Sequence, residues 1–251
     1  MSIRIYLTGR LAVEVDERVV IDGRDFRGKQ GRLVFAYLVS ERTRPVTRDE
    51  LAEVVWPADF APSWESGLSA LMSRLHRLLA ALADRGVSTA RGFGQYRILL
   101  PSDAWIDTEA GVSAIDRAEA AIRAGRPEQV LGPATVAATI ARRSFLTGVR
   151  GEWVDSQRRR LERQLLRALD CLSEMRLASG EPGLAVETAT EAVTLDPYRE
   201  RGYQLLMRGA VATGNKANAV QAYHRLRELL ADELGTEPSH ETEALYLAAL
   251  G

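Results

Sequence analysis

The C-terminal half of the chain repeats a pattern of small residues at a fixed distance, and this repeat limits the possible folds more than any other feature. Four positions recur 34 residues later: Ala178, Gly180, Ala185 and Val186 match Ala212, Gly214, Ala219 and Val220. Apolar residues at helical spacing, interrupted by glycine and proline, fill residues 107–250. The repeating unit is therefore a pair of helices, which buries its apolar face only by stacking on the next pair.

A period of 34 residues is that of the tetratricopeptide repeat. Alanines such as Ala189 and Ala222 leave room for paired helices to pack closely. We therefore predict an all-α, tetratricopeptide-like helical repeat domain over residues 102–251. Any other α-solenoid or helical bundle remains the alternative.

The first 101 residues mix strands and helices. The predicted elements are three strands within residues 3–21, a helix from Lys29 to about Ser40, a helix after Thr47, a helix over residues 62–84, and a hairpin over residues 87–100. Thr47 and Glu50 match a capping box at the start of the second helix. Three helices followed by a two-stranded wing form a winged helix-turn-helix, so we predict an α+β domain of this type over residues 1–101.

The helix over residues 62–84 has an unusual outer face. Its apolar side carries residues such as Leu68, Leu75 and Leu79. The opposite side carries Ser66, Ser69, Ala70, Ser73, Arg74 and Arg77. Small, hydroxylated and basic residues suit phosphates and base edges, although an ordinary solvated face is the alternative. The position of the helix just before the wing favours DNA binding, with Arg91 and Gln95 as candidate wing contacts.

The charge distribution is nearly balanced. The net charge is −1, and residues 1–100 carry 15 Lys and Arg against 12 Asp and Glu, a surplus of +3. With few cationic contacts one monomer should bind DNA weakly, so two copies on a repeated site would add avidity. A protein–protein adaptor, with the helical repeats binding a partner and the winged helix used for docking, is the alternative function.

Other chemistry finds little support in the sequence. The three histidines are scattered, and Cys171 is the single cysteine, so we expect no metal site, no catalytic residues and no cofactor. We therefore expect that the chain is not an enzyme. No apolar run is long enough to cross a membrane, and we expect a cytoplasmic protein, associated with the nucleoid when it is bound to DNA.

Several segments together resemble one family of bacterial regulators. They are RGKQGRLVFAYL, VTRDELAEVVWP and SWESGLSALMSRLHRLL in the first half, and LDPYRERGYQLLMRG and AYHRLRELLADELGTEPSHETEAL in the second. The first half resembles an OmpR-type winged helix, and the second half resembles the bacterial transcriptional activator domain. In this order they resemble the SARP-type regulators, which include the AfsR-like group.

The resemblance implies a transcriptional activator that binds direct repeats near promoters and recruits RNA polymerase. It implies a homodimer, at least on DNA, in which the helix over residues 63–84 reads the major groove. The loop with Ala58, Asp59 and Phe60 occupies the position that touches polymerase in OmpR-like proteins. No receiver domain is expected ahead of the winged helix, and the GxxxxGK[ST] segment of the larger members is absent from the sequence.

Two positions depart from the family pattern. The family segment S-R-L-R-R has a histidine, His76, at its fourth position, which weakens the positive charge there. The wing has Gly94-Gln95-Tyr96 where the family has Gly-Tyr. Arg91 and Gln95 therefore lie in a wing whose turn departs from the family pattern.

Overall fold

The computed structural model describes residues 2–57 and 63–251, which form two compact units. The first unit comprises the chain up to Ala110 together with Arg143–Leu161. The second comprises Gly111–Arg142 and Glu162–Gly251. These units do not coincide with the division at residue 101 predicted from the sequence, because the first unit includes a segment from the middle of the chain.

A four-stranded sheet opens the first unit. The strands β1 (Ile3–Tyr6), β2 (Ala12–Val15) and β3 (Arg18–Asp22) pair antiparallel, as the sequence predicts. A two-residue strand, Trp105–Ile106, pairs parallel with β1 at the edge. It is labelled β7 in chain order, and the sheet order is β3-β2-β1-β7. This strand is too short to leave an alternating pattern in the sequence.

Three helices and a small sheet follow in the predicted order. They are α1 (Lys29–Ser40), β4 (Val46–Thr47), α2 (Arg48–Val55), α3 (Trp64–Leu79), β5 (Ser88–Gly92) and β6 (Gln95–Leu99). The small sheet has the order β4-β6-β5, so the hairpin of β5 and β6 is fixed to the strand that precedes α2. The Thr47 hydroxyl accepts a hydrogen bond from the Glu50 amide at 3.2 Å, which confirms the predicted N-cap.

The helix α3 is shorter than the predicted helix over residues 62–84. Ser63 occupies the N-cap position, although its side chain makes no capping hydrogen bond. The α-helix ends at Leu79, and Ala80–Arg85 forms a 3-10 helix that stops at Gly86, whose φ is 76°. Such tightening is common at helix C-termini, and it keeps Leu82 buried in the core.

The segment that joins the first unit from the middle of the chain is held by backbone and aromatic contacts. The Gly9 amide donates to the Ser144 carbonyl at 2.9 Å, and the Leu146 amide donates to the Leu7 carbonyl at 3.3 Å. Trp153 packs edge-on against Tyr37, with ring centroids 5.0 Å apart. These contacts link residues more than a hundred positions apart. The division at residue 101, which was based on local strand and helix patterns, therefore did not detect them.

A charge cluster ties α1 to α2. The Glu50 carboxylate accepts hydrogen bonds from the Arg44 guanidinium at 3.0 Å and from the Tyr37 hydroxyl at 2.5 Å. The Arg44 guanidinium, with a smaller effect of the Tyr37 hydroxyl, lowers the pKa of Glu50 to about 2. The ionised form of Glu50 is therefore favoured by folding.

We predict that Glu50→Gln makes the stability of the chain less sensitive to acid. The lowered pKa means that the contribution of Glu50 is complete above its ordinary pKa of 4.5 and is lost as the pH falls towards about 2. Between about pH 5 and pH 2, the urea midpoint of the wild type should therefore fall further than that of the variant. Asp49→Asn, an exposed neighbour in the same turn, is the control and should follow the wild type. Parallel curves for Glu50→Gln and wild type would contradict the prediction.

The second unit is helical. Its helices are α4 (Asp107–Arg123) and α6 (Glu152–Ala178), each of which begins in the first unit, and α5 (Leu131–Ala141), α7 (Pro182–Leu195), α8 (Glu200–Ala212), α9 (Lys216–Leu234) and α10 (His240–Leu250). Gly180 and Gly214, 34 residues apart in the sequence, end their helices with φ of 75° and 78°. No helix in the described part of the chain is long and apolar enough to cross a membrane.

Close packing of α7 and α8 depends on two glycines one heptad apart. A Cβ at Gly209 would lie 2.8 Å from Val186 Cγ2, and a Cβ at Gly202 would lie 3.1 Å from Val193 Cγ2. The glycines therefore let the backbone of α8 approach the valine side chains of α7 directly.

Candidate nucleic-acid interface

The outer face of α3 lies in solvent, as the sequence predicts. Ser66, Ala70, Ser73, Arg74 and Arg77 are exposed, and Ser69 is half-buried. The opposite face places Leu68, Met72, Leu75 and Leu79 in the core of the unit. The helix is therefore anchored by its apolar side and presents a small, basic side outward.

Two serines of this face, Ser66 and Ser73, already donate their hydroxyl protons within the helix. The Ser66 hydroxyl donates to the Ser63 carbonyl, and the Ser73 hydroxyl donates to the Ser69 carbonyl, both at 2.8 Å. Each hydroxyl proton is thus used within the helix, while the oxygen lone pairs still point outward. A serine hydroxyl can donate to a base or accept from one, and this local geometry favours acceptance.

The two arginines of the face have guanidinium groups that are free to bind. Arg74 has no hydrogen-bond or ion-pair partner among the described residues. Arg77 has one long contact, from its Nε to the Ser73 carbonyl at 3.4 Å. Both side chains can therefore offer a planar pair of donors to a base edge or a phosphate.

One flank of α3 is joined to the hairpin by a side-chain contact. The His76 Nδ1 atom lies 3.0 Å from the Thr89 hydroxyl oxygen on β5. His76 appeared in the sequence only as a loss of charge. In the fold it fixes the hairpin beside the outer face of α3.

The hairpin turns on two residues, Phe93 and Gly94. Their φ angles are 50° and 73°, and positive φ at both central positions is what a type I′ turn requires. The Gly94 carbonyl accepts a hydrogen bond from the Arg48 amide at 3.1 Å, which holds the turn near the start of α2. The predicted wing residues Arg91 and Gln95 are both exposed on this hairpin, and the Arg91 guanidinium carbon lies 5.8 Å from the centroid of the Tyr96 ring.

The tip residue Phe93 was not identified from the sequence. Its side chain is fully exposed, which is unusual for a large aromatic residue. Its positive φ is also costly for a residue with a bulky side chain. An apolar residue between two glycines in a predicted turn was the sequence signal that could have identified it.

We predict that Phe93→Asn stabilises the protein by about 0.5–1 kcal/mol, because Asn-Gly is the preferred pair for a type I′ turn. A rise in the thermal unfolding midpoint would be the expected result. Gln95 is exposed and pairs with Gly92 in the hairpin, next to the turn. The control variant Gln95→Asn should give no such rise. A lower midpoint for Phe93→Asn would mean that the phenyl ring makes a stabilising contact.

Two further sets of residues bear on the expected chemistry. Ala58, Asp59 and Phe60, the loop expected to touch polymerase, lie outside the described residues. Across residues 2–57 and 63–251, no three His, Cys, Asp or Glu side chains are grouped so that they could hold a metal ion. Cys171 is buried, and this burial raises the pKa of its thiol to about 11.

A family model and several known proteins are similar to this chain. The model described as "Bacterial transcriptional activator domain" matches residues 106–250. The regulatory protein AfsR of Streptomyces coelicolor is 29% identical over 209 residues, which cover 83% of this chain and 20% of AfsR. The transcriptional regulatory protein EmbR of Mycobacterium tuberculosis is 31% identical over 244 residues, covering 95% of this chain and 61% of EmbR.

Two further comparisons concern length and fold. The transcriptional regulatory protein MoaR1 of Mycobacterium tuberculosis is 27% identical over 218 residues, covering 86% of this chain and 70% of MoaR1. A solved structure of Mycobacterium tuberculosis EmbR in complex with a low affinity phosphopeptide superposes with a TM-score of 0.87 at 24% identity. That superposition covers 99% of this chain and 65% of the EmbR chain. This chain thus spans only a fifth of AfsR and about two thirds of EmbR.

These similarities agree with the family suggested by the sequence motifs. The model match covers more than half of the chain, and the relatives are all named as regulatory proteins. The chain therefore belongs to the SARP family of bacterial transcriptional regulators, which carry the bacterial transcriptional activator domain.

Proposed function

We propose that this regulator binds double-stranded DNA through the outer face of α3, which lies in the major groove. The observation that carries this proposal is the exposed face itself, with Arg74 and Arg77 unpaired by any carboxylate among the described residues and small residues between them. A helix with small side chains approaches the base edges closely, and arginine makes the commonest specific contact, to guanine. The serine oxygens of this face would accept hydrogen bonds from amino groups of cytosine or adenine.

The hairpin would then contact the DNA beside the major groove. Arg91 and Gln95 are the residues that reach the backbone or the adjacent minor groove, with Phe93 at the tip. The contact between His76 and Thr89 supports this arrangement, because it sets the hairpin at a fixed distance from α3. An exposed phenyl ring at the tip suits the apolar sugar faces that line the minor groove.

The small positive charge of the N-terminal part favours binding as a pair of copies. Residues 1–100 carry a surplus of only +3, so the phosphate contacts of one monomer should give modest affinity. Two copies on a direct repeat near a promoter would multiply that affinity through avidity. A homodimer, formed at least on DNA, is therefore part of the proposal.

The proposal also assigns roles to the rest of the chain. A DNA-binding domain over residues 1–101 would be followed by a tetratricopeptide-like activator domain over residues 102–251. The loop with Ala58, Asp59 and Phe60 would touch RNA polymerase and so recruit it to the promoter. Such a protein would act in the cytoplasm and associate with the nucleoid when bound, without a cofactor and without enzymatic activity.

One observation favours a second candidate, an adaptor in which the winged helix docks on a protein. The chain as a whole has a net charge of −1, whereas a DNA-binding domain usually has a strongly basic face. The helical repeats would then bind a protein partner, and α3 would contribute to a protein interface.

Recovery of bound fragments from sheared DNA of the source genome distinguishes the two candidates. We expect the purified full chain to retain a small set of fragments at low salt that share a direct repeat upstream of genes. Retention should decrease steeply as salt is raised, because each phosphate contact releases counterions. If no fragment is enriched at low salt, DNA binding is excluded and the adaptor is favoured.

A further inference from the structure

A basic cavity lies on the flank of α3 that is opposite the hairpin. It has a volume of about 430 Å³ and lies between α3 and the loop that joins β3 to α1. Its charged lining residues are Arg24, Asp25, Arg27, Arg74 and Arg77. Apolar residues, among them Phe26 and Leu75, complete the lining. Two of these arginines belong to the outer face of α3, and the other two come from a loop that has no role so far.

The charges around this cavity are largely uncompensated. The single carboxylate in the wall, Asp25, accepts the Asp22 amide at 2.8 Å. Arg24 has a loose contact, from its Nε to the Asp22 carboxylate at 3.5 Å, and Arg27 and Arg74 have no ion-pair partner among the described residues. Four guanidinium groups facing one space repel each other, so an anion with several oxygens would stabilise the arrangement.

The loop is held in place by its own backbone. Arg27 has a φ of 47° and Gly28 a φ of 121°, so the chain turns sharply before α1 begins. Gly31 lies directly under the loop, because a Cβ there would be 2.3 Å from the Phe26 carbonyl oxygen. The loop therefore rests on the first turn of α1, with no room for a side chain between them, and Arg24 and Arg27 remain in solvent.

Each flank of α3 would face one phosphate backbone of a bound duplex. A helix in the major groove has a phosphate backbone on each side. The hairpin occupies one side, where His76 contacts Thr89, and the loop occupies the other. Phosphates on the second side would lie beside this loop, within reach of the exposed Arg24 and Arg27 side chains.

We propose that Arg24 and Arg27 bind backbone phosphates of the DNA strand on this side of the major groove. This inference rests on the proposed function. The contacts fix the position of α3 without reading sequence, since every phosphate is alike. Arg74, which lines both the cavity and the outer face, would connect this phosphate contact to the base contacts.

The test is DNA affinity of the full chain in which Arg24→Ala and Arg27→Ala are combined. The probes are a duplex recovered from the source genome and an unrelated duplex of equal length, each titrated over a range of salt. We expect both affinities to fall by the same factor, and the slope of log K against log salt to decrease by about 2, roughly one for each lost phosphate contact. Arg150→Ala, at an exposed arginine of the same unit that does not line the cavity, should leave both quantities unchanged.

The outcomes separate this inference from the proposed function. If the wild type binds neither duplex, the proposed function fails. If the wild type binds and the double variant, with an unchanged thermal midpoint, keeps the same affinity and salt slope, the inference about the loop is wrong. A double variant that loses binding of inorganic phosphate but keeps its DNA affinity would assign the cavity to a small anion and also overturn the inference.

Discussion

Asp107→Ala should lower the free energy of unfolding of the first unit by about 3–5 kcal/mol, because it leaves several buried donors without an acceptor. The Asp107 carboxylate is completely buried. It accepts the Leu7 amide at 3.0 Å, the Thr8 amide at 2.9 Å and the Thr8 hydroxyl at 2.8 Å. The Thr108 amide, at 2.8 Å, is a further donor.

The position of Asp107 explains why so many donors converge on one side chain. The strand β7 pairs with β1 for only two residues and ends at Ile106, which is opposite Ile5. The amides of Leu7 and Thr8, which follow β1, have no partner on β7, and the carboxylate takes the place of the missing backbone carbonyls. Burial raises the pKa of this carboxyl, and the hydrogen bonds from Leu7 and Thr8 oppose that rise.

Urea denaturation of Asp107→Ala, compared with wild type, measures this effect. Asp103→Ala is the matched control, because Asp103 is exposed and lies four residues earlier. Asp107→Asn keeps the shape but replaces one oxygen by an amide group that cannot accept, so an intermediate loss is expected. A loss below about 1 kcal/mol for Asp107→Ala would show that water or a local rearrangement satisfies the donors.

The largest expected effect on binding comes from the arginines of α3. Arg77→Ala or Arg74→Ala should weaken binding to a recovered operator by about 1–3 kcal/mol, roughly 5- to 150-fold, if the guanidinium forms two hydrogen bonds with a base. Binding to an unrelated duplex should change much less. The salt slope should stay nearly constant, in contrast to the loss expected for the loop arginines.

A lysine substitution separates base contacts from phosphate contacts. Arg77→Lys keeps the charge but loses the planar pair of donors, so it should behave like Arg77→Ala if Arg77 reads a base. If Arg77 binds only a phosphate, lysine should restore most of the affinity. Arg117→Ala, at an exposed arginine on α4 in the second unit, should leave operator binding unchanged.

Much of the fold followed from local patterns in the sequence. The boundaries of α1 and the cap of α2 agree with the structure because amphipathic spacing and the Thr47 cap act locally. The end of α3 was placed five residues too late, because Leu82 continues the apolar stripe through a 3-10 helix. The strand β7 and the inclusion of Arg143–Leu161 in the first unit were missed, since both are defined by contacts with distant parts of the chain.

The candidate site was only partly predictable. The exposed positions on α3 followed from the helical period, but the use of the Ser66 and Ser73 protons depends on side-chain rotamers. The role proposed for the loop around Arg27 depends on its position beside α3, which no local pattern records. Its composition, two arginines among glycines and aspartates, was the available signal.

Methylation protection of guanine N7 atoms tests most directly whether α3 reads the major groove. Wild-type protein at saturation should protect guanines within each copy of a direct repeat in a recovered operator. Arg74→Ala or Arg77→Ala protein, at concentrations that still saturate the duplex, should leave one of these guanines reactive in each repeat. Absence of any protected guanine with wild type, or identical patterns for wild type and both variants, would contradict the assignment of α3 as the reading helix.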